Sequence, residues 1–113
     1  MNKLLIALIC GAVSLNAFAA GDKANGEALA KKFNCASCHG ADFKTPIDPS
    51  YPKLAGQYPD YLVHALTAYK RGGKSWGRNN PIMGGMAAPL SDKDMADIAA
   101  YISSLPGDLV QHR

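Results

Sequence analysis

The chain has 113 residues, enough for one domain and too few for two of ordinary size. Twelve basic residues stand against nine acidic ones for a formal net charge of +3, a mild balance that calls for no nucleic-acid partner. A domain of this length buries only about 60–68% of the surface its unfolded chain exposes, so a large apolar group at its centre would supply core that it otherwise lacks.

Residues 1–19 have the composition of an export signal. Lys3 gives a charged start, Leu4 to Val13 form an apolar run broken only by Cys10 and Gly11, and Ala17-Phe18-Ala19 offers small residues at −3 and −1 of a cleavage site. The expectation is a cleaved signal peptide over 1–19, a mature domain over 20–113 that begins at Ala20, and a bacterial periplasmic location. The apolar run is far shorter than the ~20 residues that span a bilayer, so no stable membrane insertion is expected. Cys10 follows a hydrophobic stretch, as in a lipoprotein signal, but the bulky Ile9 precedes it and processing there would cut the run in the middle.

Asp22 to Phe33 is rich in Ala, Lys and Glu, with Asp22 placed to cap and with Leu29 and Phe33 one turn apart, which predicts a helix. It leads straight into Cys35-Ala36-Ser37-Cys38-His39, the pattern C-x-x-C-H. Two thiols at this spacing can each add across a vinyl group of haem, and the histidine that follows can reach the iron. The competing uses of C-x-x-C are weaker here. A zinc ribbon wants a second ligand pair, and no cysteine follows Cys38; a thioredoxin-type site wants a strand before it and a parallel sheet around it. In an exported chain the plainest alternative is a short-range disulfide between Cys35 and Cys38. Export and haem attachment support each other, because haem is coupled to such motifs outside the bacterial cytoplasm.

From Gly40 to Gln57 the pattern has no period and carries Pro46, Pro49 and Pro52, which predicts a loop. Pro59 can open a second helix with Asp60 in its first turn; Leu62, Ala65, Leu66 and Tyr69 recur at the helical interval until Gly72-Gly73 stops it. A second irregular stretch is expected from Gly72 to Leu90. The third helix opens on a capping box, Ser91 with Asp94, carries Met95, Ile98, Ala99, Ile102 and Leu105 on one side, and ends before Pro106-Gly107. No segment alternates with a period of two. The expected fold is all-α, three main helices joined by two long loops. Loops so long count against a bare bundle of this size, and a central haem for them to wrap explains them.

His39 fills one axial position of such a haem. Candidates for the other are His64, Met83, Met86, Met95 and His112. Met95 belongs to the apolar face of the third helix, His64 lies away from the Leu62, Leu66 and Tyr69 face, and His112 sits in a polar tail. Met83 and Met86 remain, in the glycine-rich run Asn80-Pro81-Ile82-Met83-Gly84-Gly85-Met86. A thioether is a soft, neutral ligand that favours reduced iron, and the one that does not coordinate would pack on the porphyrin.

Taken together, Cys35-Ala36-Ser37-Cys38-His39-Gly40, Tyr51-Pro52-Lys53-Leu54-Ala55-Gly56-Gln57, Met83-Gly84-Gly85-Met86, Leu90-Ser91-Asp92-Lys93-Asp94 and Ile98-Ala99-Ala100-Tyr101 resemble a class I c-type cytochrome. The likeness is to the short bacterial periplasmic group similar to one half of the di-haem periplasmic cytochromes. It implies a cytochrome c fold around one covalent haem c, with Cys35 and Cys38 as tethers and His39 and Met83 as axial iron ligands. It also implies that Met86 is packing, that the Pro52 carbonyl receives the His39 Nδ1 proton, and that the first and third helices cross, with Gly26 and Tyr101 as a contact.

A six-coordinate iron has no open position, so the expected function is a soluble electron carrier and not an enzyme. Its expected partners are redox proteins: an oxidase, a quinol-oxidising complex or a dehydrogenase. A monomer or weak dimer is expected. Two other functions remain open at this point: a dedicated dehydrogenase subunit, recognisable by recovery in a stable complex, and a haem sensor or peroxidase in which Met83 is displaced. Lys70, Arg71, Lys74 and Arg78 either form a docking patch for an acidic partner or are ordinary solvated loop charges.

Overall fold

Local signals at the chain's helix ends do most of the work of setting its architecture. The computed structural model describes residues 21–108; the signal segment 1–19 with Cys10, Ala20 and His112 lie outside them. In chain order the elements are α1 (Lys23–Lys32), α2 (Ala36–His39), α3 (Pro59–Arg71), α4 (Pro81–Ala87) and α5 (Asp92–Ser104), with no strand among the described residues. No described helix is long and apolar enough to cross a membrane.

Asp22 caps α1 by accepting the Asn25 amide at 3.1 Å. Asn34 then adopts a left-handed backbone, φ +57°, and the Cys35 amide bonds back to the Ala30 carbonyl at 3.0 Å. That turn starts α2, a single helical turn made of the haem motif itself. α3 has Pro59 in its first turn and ends on Gly72 at φ +62°, where glycine carries no Cβ penalty. At α5, Ser91 Oγ accepts the Asp94 amide and Asp94 Oδ2 accepts the Ser91 amide, both at 3.0 Å, completing the expected capping box.

α4 was expected as loop and is a helix. Two glycines in seven residues hide its propensity, each costing about 1 kcal/mol relative to alanine. Its start compensates: Asn80 Oδ1 accepts the amides of both Ile82 and Met83 at 3.0 Å, and Pro81 presets the first turn. The long segment after α2 is also ordered, by side-chain and backbone hydrogen bonds. Asp42 Oδ1 accepts the Lys44 and Thr45 amides, and the Phe43 carbonyl accepts those of Leu54 and Ala55.

The core gathers Leu62, Leu90, Met95, Ile98, Ala99 and Ile102 with Ala30 and Phe43. Met95 is 1% exposed and belongs to that core, as its place on the apolar face predicts. α1 lies against α5 through Gly26. A Cβ there would sit 1.9 Å from the Asp97 carbonyl oxygen and 2.9 Å from Tyr101 Cβ, so the Gly26–Tyr101 contact is present and the Asp97 backbone is closer still. Gly26→Ala is therefore expected to destabilise the protein by about 2 kcal/mol net, overpacking outweighing the gain in helix propensity. The guanidinium unfolding midpoint of the holoprotein checks this; an unchanged midpoint would contradict the close approach.

Candidate functional site

α2, α3, α4, α5 and the loop before α3 line one cavity of about 420 Å³, within the roughly 300–1,000 Å³ of cofactor sites. Cys35, Cys38 and His39 line it from α2, Tyr51 and Pro52 from the loop, and Met83 and Met86 from α4. Its remaining walls are mostly apolar, with Leu62 and Leu66 from α3 and Ile98 and Ile102 from α5.

His39 is 7% exposed, and its Nδ1 lies 3.0 Å from the Pro52 carbonyl oxygen. A carbonyl only accepts, so Nδ1 carries the proton and donates it, leaving the Nε2 lone pair free to ligate. The same bond fixes the ring's orientation and raises its basicity as a ligand. Tyr51 packs beside the imidazole, ring centroids 6.4 Å apart. Immediately after His39 the chain needs glycine: Gly40 has φ +91°, and a Cβ there would lie 2.2 Å from the Thr45 carbonyl oxygen.

Both motif thiols are free and partly buried, and burial pushes the Cys35 thiol above its ordinary value. A raised thiol is the opposite of the stabilised thiolate that a thioredoxin-type site uses. A zinc site would need further ligands, and no group of three His, Cys, Asp or Glu among the described residues is placed to hold a metal ion.

Met83 and Met86 stand three residues apart on α4 and so share the face that lines the cavity. Met83 is half-buried; Met86 is 36% exposed. α4 packs on α3 at ordinary van der Waals distance, a Cβ on Gly84 lying 3.5 Å from the Tyr69 carbonyl oxygen. The Lys70 ammonium donates to the Leu90 carbonyl, tying α3 to the segment after α4. His64 is exposed on α3 and does not line the cavity, and neither does Met95. Residue patterns alone missed Asn80, Tyr51 and Lys70. Only Asn80 carried a readable signal, an N-cap residue followed by proline.

Two thiols at the C-x-x-C-H spacing, an imidazole with a free Nε2 and two thioethers around an apolar cavity fit a covalently attached haem. The sequence model of the family described as cytochrome c matches residues 23–106. The chain belongs to the cytochrome c family. As such a domain it takes haem c, covalently bound. It is 42% identical over 115 residues to the cytochrome c4 of Stutzerimonas stutzeri, an alignment covering 96% of this chain and 53% of that protein. With cytochrome c-554(548) of Halomonas halodenitrificans it shares 48% identity over 85 residues, covering 75% of this chain and 98% of the relative. The crystal structure of reduced recombinant cytochrome c4 from Pseudomonas stutzeri superposes with a TM-score of 0.68 at 42% identity, over 80% of this chain and 48% of that one. The chain thus spans about half the length of the cytochrome c4 proteins it matches, in keeping with its resemblance to one half of a di-haem cytochrome.

Proposed function

We propose that the protein is a soluble periplasmic one-electron carrier, exported by the segment 1–19 and mature from Ala20. Its haem is tethered by Cys35 and Cys38 and ligated by His39 and Met83. When bound, haem c supplies reversible one-electron chemistry at iron. The chain supplies the rest. The Pro52 carbonyl keeps the His39 proton on Nδ1, the apolar walls limit water, and the α4 thioether favours the reduced state.

The observation that carries this reading is that His39 on α2 and Met83 on α4 line the same cavity. With His39 and Met83 both holding the iron, no coordination site would be left for a substrate. The natural partners of such a carrier are an oxidase, a quinol-oxidising complex or a dehydrogenase. A closed site makes a direct prediction: the reduced holoprotein, untreated, is expected to leave its optical spectrum unchanged under carbon monoxide and to titrate reversibly as a one-electron couple. Prompt carbon monoxide binding would favour a sensor or peroxidase instead.

A further inference from the structure

The four basic residues between positions 70 and 78 do not act alike. Lys70 is committed to the Leu90 carbonyl. The Arg78 guanidinium lies over the rings of Tyr61 and Tyr69, 5.8 and 5.3 Å from their centroids, and donates to Tyr61 Oη at 3.3 Å. These two hold the fold. Arg71 and Lys74 are exposed and make no ion pair with a described residue.

Beside them stands Trp76, 86% exposed and at φ +63°. It is the third residue of a turn closed by the Gly77 amide on the Lys74 carbonyl at 2.9 Å. A left-handed residue there is normally glycine or asparagine, and a side chain with a Cβ is sterically disfavoured. An indole in water also gains nothing from burial. Strain and exposure therefore fall on one residue, and neither stabilises the isolated domain.

The loop that presents Trp76 is pinned at its neck. A Cβ on Gly77 would lie 2.0 Å from the Gly72 carbonyl oxygen, and the Arg78 amide bonds to the Ala68 carbonyl at 2.8 Å. Its base is also the wall of the haem cavity. Arg78 rests on Tyr69, which lines that cavity, and Asn80, Ile82 and Met83 line it a few residues further on.

We infer that Trp76, flanked by Arg71 and Lys74, is the docking knob for a redox protein that offers an apolar recess rimmed by acidic side chains. This rests on the carrier reading and adds the chemistry of the partner's surface. The indole is the anchor that becomes desolvated on docking, as tryptophan and arginine are at interface hot spots. The two cations steer the encounter. A loop already fixed at its neck loses little entropy on binding. Two cations and one indole are too few to hold an anionic membrane other than weakly. Proximity to the cavity wall serves only a partner that exchanges an electron.

Stopped-flow reduction of the oxidised holoprotein by the acidic protein flavodoxin in its hydroquinone form, and by hexacyanoferrate(II) as a small reactant, tests the inference. In each case one electron leaves the donor and reduces Fe(III) to Fe(II). Trp76→Gly is expected to lower the second-order rate with flavodoxin about fivefold or more, while changing the rate with hexacyanoferrate less than about twofold. Its thermal midpoint should stay level or rise, since glycine relieves the backbone strain. Arg71→Glu with Lys74→Glu is expected to slow the flavodoxin reaction and flatten its dependence on ionic strength. An unchanged flavodoxin rate in Trp76→Gly overturns the inference. So does a fall in its midpoint, which would make the residue structural, or Trp76-dependent sedimentation with phosphatidylglycerol vesicles, which would make it a membrane contact. A wild-type holoprotein that exchanges electrons with neither reactant removes the carrier reading itself, and this inference with it.

Discussion

Met83→Ala is expected to abolish the methionine-to-iron charge-transfer band of the oxidised holoprotein, while Met86→Ala leaves it in place. Both side chains reach the cavity from one face of α4, so proximity alone does not separate them. Support for Met83 comes from its surroundings. It is the more buried of the two, and its own amide is held by Asn80 Oδ1 at 3.0 Å, in the best-fixed turn of a short, glycine-weakened helix. Met86 lies a turn later, past both glycines. Loss of a soft thioether also removes a ligand that favours Fe(II). The potential of Met83→Ala should fall by a sizeable fraction of the roughly 0.8 V range that axial ligands set. The reduced variant should now take up carbon monoxide at once. A band that survives in Met83→Ala and vanishes in Met86→Ala would exchange the two roles.

The elements that were legible in the sequence are those with a strong signal at each end. Asp22 before α1, Pro59 and Gly72 around α3, and Ser91 with Asp94 at α5 are local contacts between residues at most four apart, and pattern reading is built on such spacings. α4 has equally good start chemistry in Asn80-Pro81, but Gly84 and Gly85 make it look like loop. The C-x-x-C-H motif was readable because its chemistry is confined to five residues. The His39–Pro52 bond was not readable from spacing, since a loop of this length has no rule for which carbonyl it returns; only the family resemblance supplied it. Equally invisible was the division of the basic segment. Lys70 and Arg78 are fold-holding only because the fold brings the Leu90 carbonyl beside the first and Tyr61 and Tyr69 of α3 beneath the second.

Asp97 shows the same limit at higher cost to stability. On a helical wheel it flanks the apolar run Met95, Ile98, Ala99 and Ile102 and looks like a solvent-facing acid, yet it is 2% exposed. Its carboxylate accepts the Asp22 amide at 2.8 Å, Asn25 Nδ2 at 2.7 Å and Lys93 Nζ at 2.6 Å, clamping the start of α1 to the middle of α5. Asp97→Ala should therefore destabilise the holoprotein by about 2 kcal/mol at neutral pH, because it removes a buried acceptor of three hydrogen bonds that tie α1 to α5, although the donors sit on exposed residues that water can still reach. Burial pushes the carboxyl's pKa up, but the hydrogen bonds from Lys93, Asn25 and the Asp22 amide outweigh it and hold the group below the ordinary carboxylate range. The sign of the pH effect follows. A carboxyl with a lowered folded pKa contributes its full stabilisation above its unfolded value, about 3.9, and loses it as pH falls through the folded value. Lys93 stays charged throughout, its ammonium held above the ordinary lysine value chiefly by the hydrogen bond to Asp97. Asp97→Asn retains the shape but turns amide hydrogens toward the Asn25 and Lys93 donors, so it should lose stability at pH 7 and lose less than wild type on acidification. Urea unfolding from pH 7 to pH 3 measures both. Parallel pH profiles for wild type and Asp97→Asn would mean that the acid sensitivity of this fold lies elsewhere.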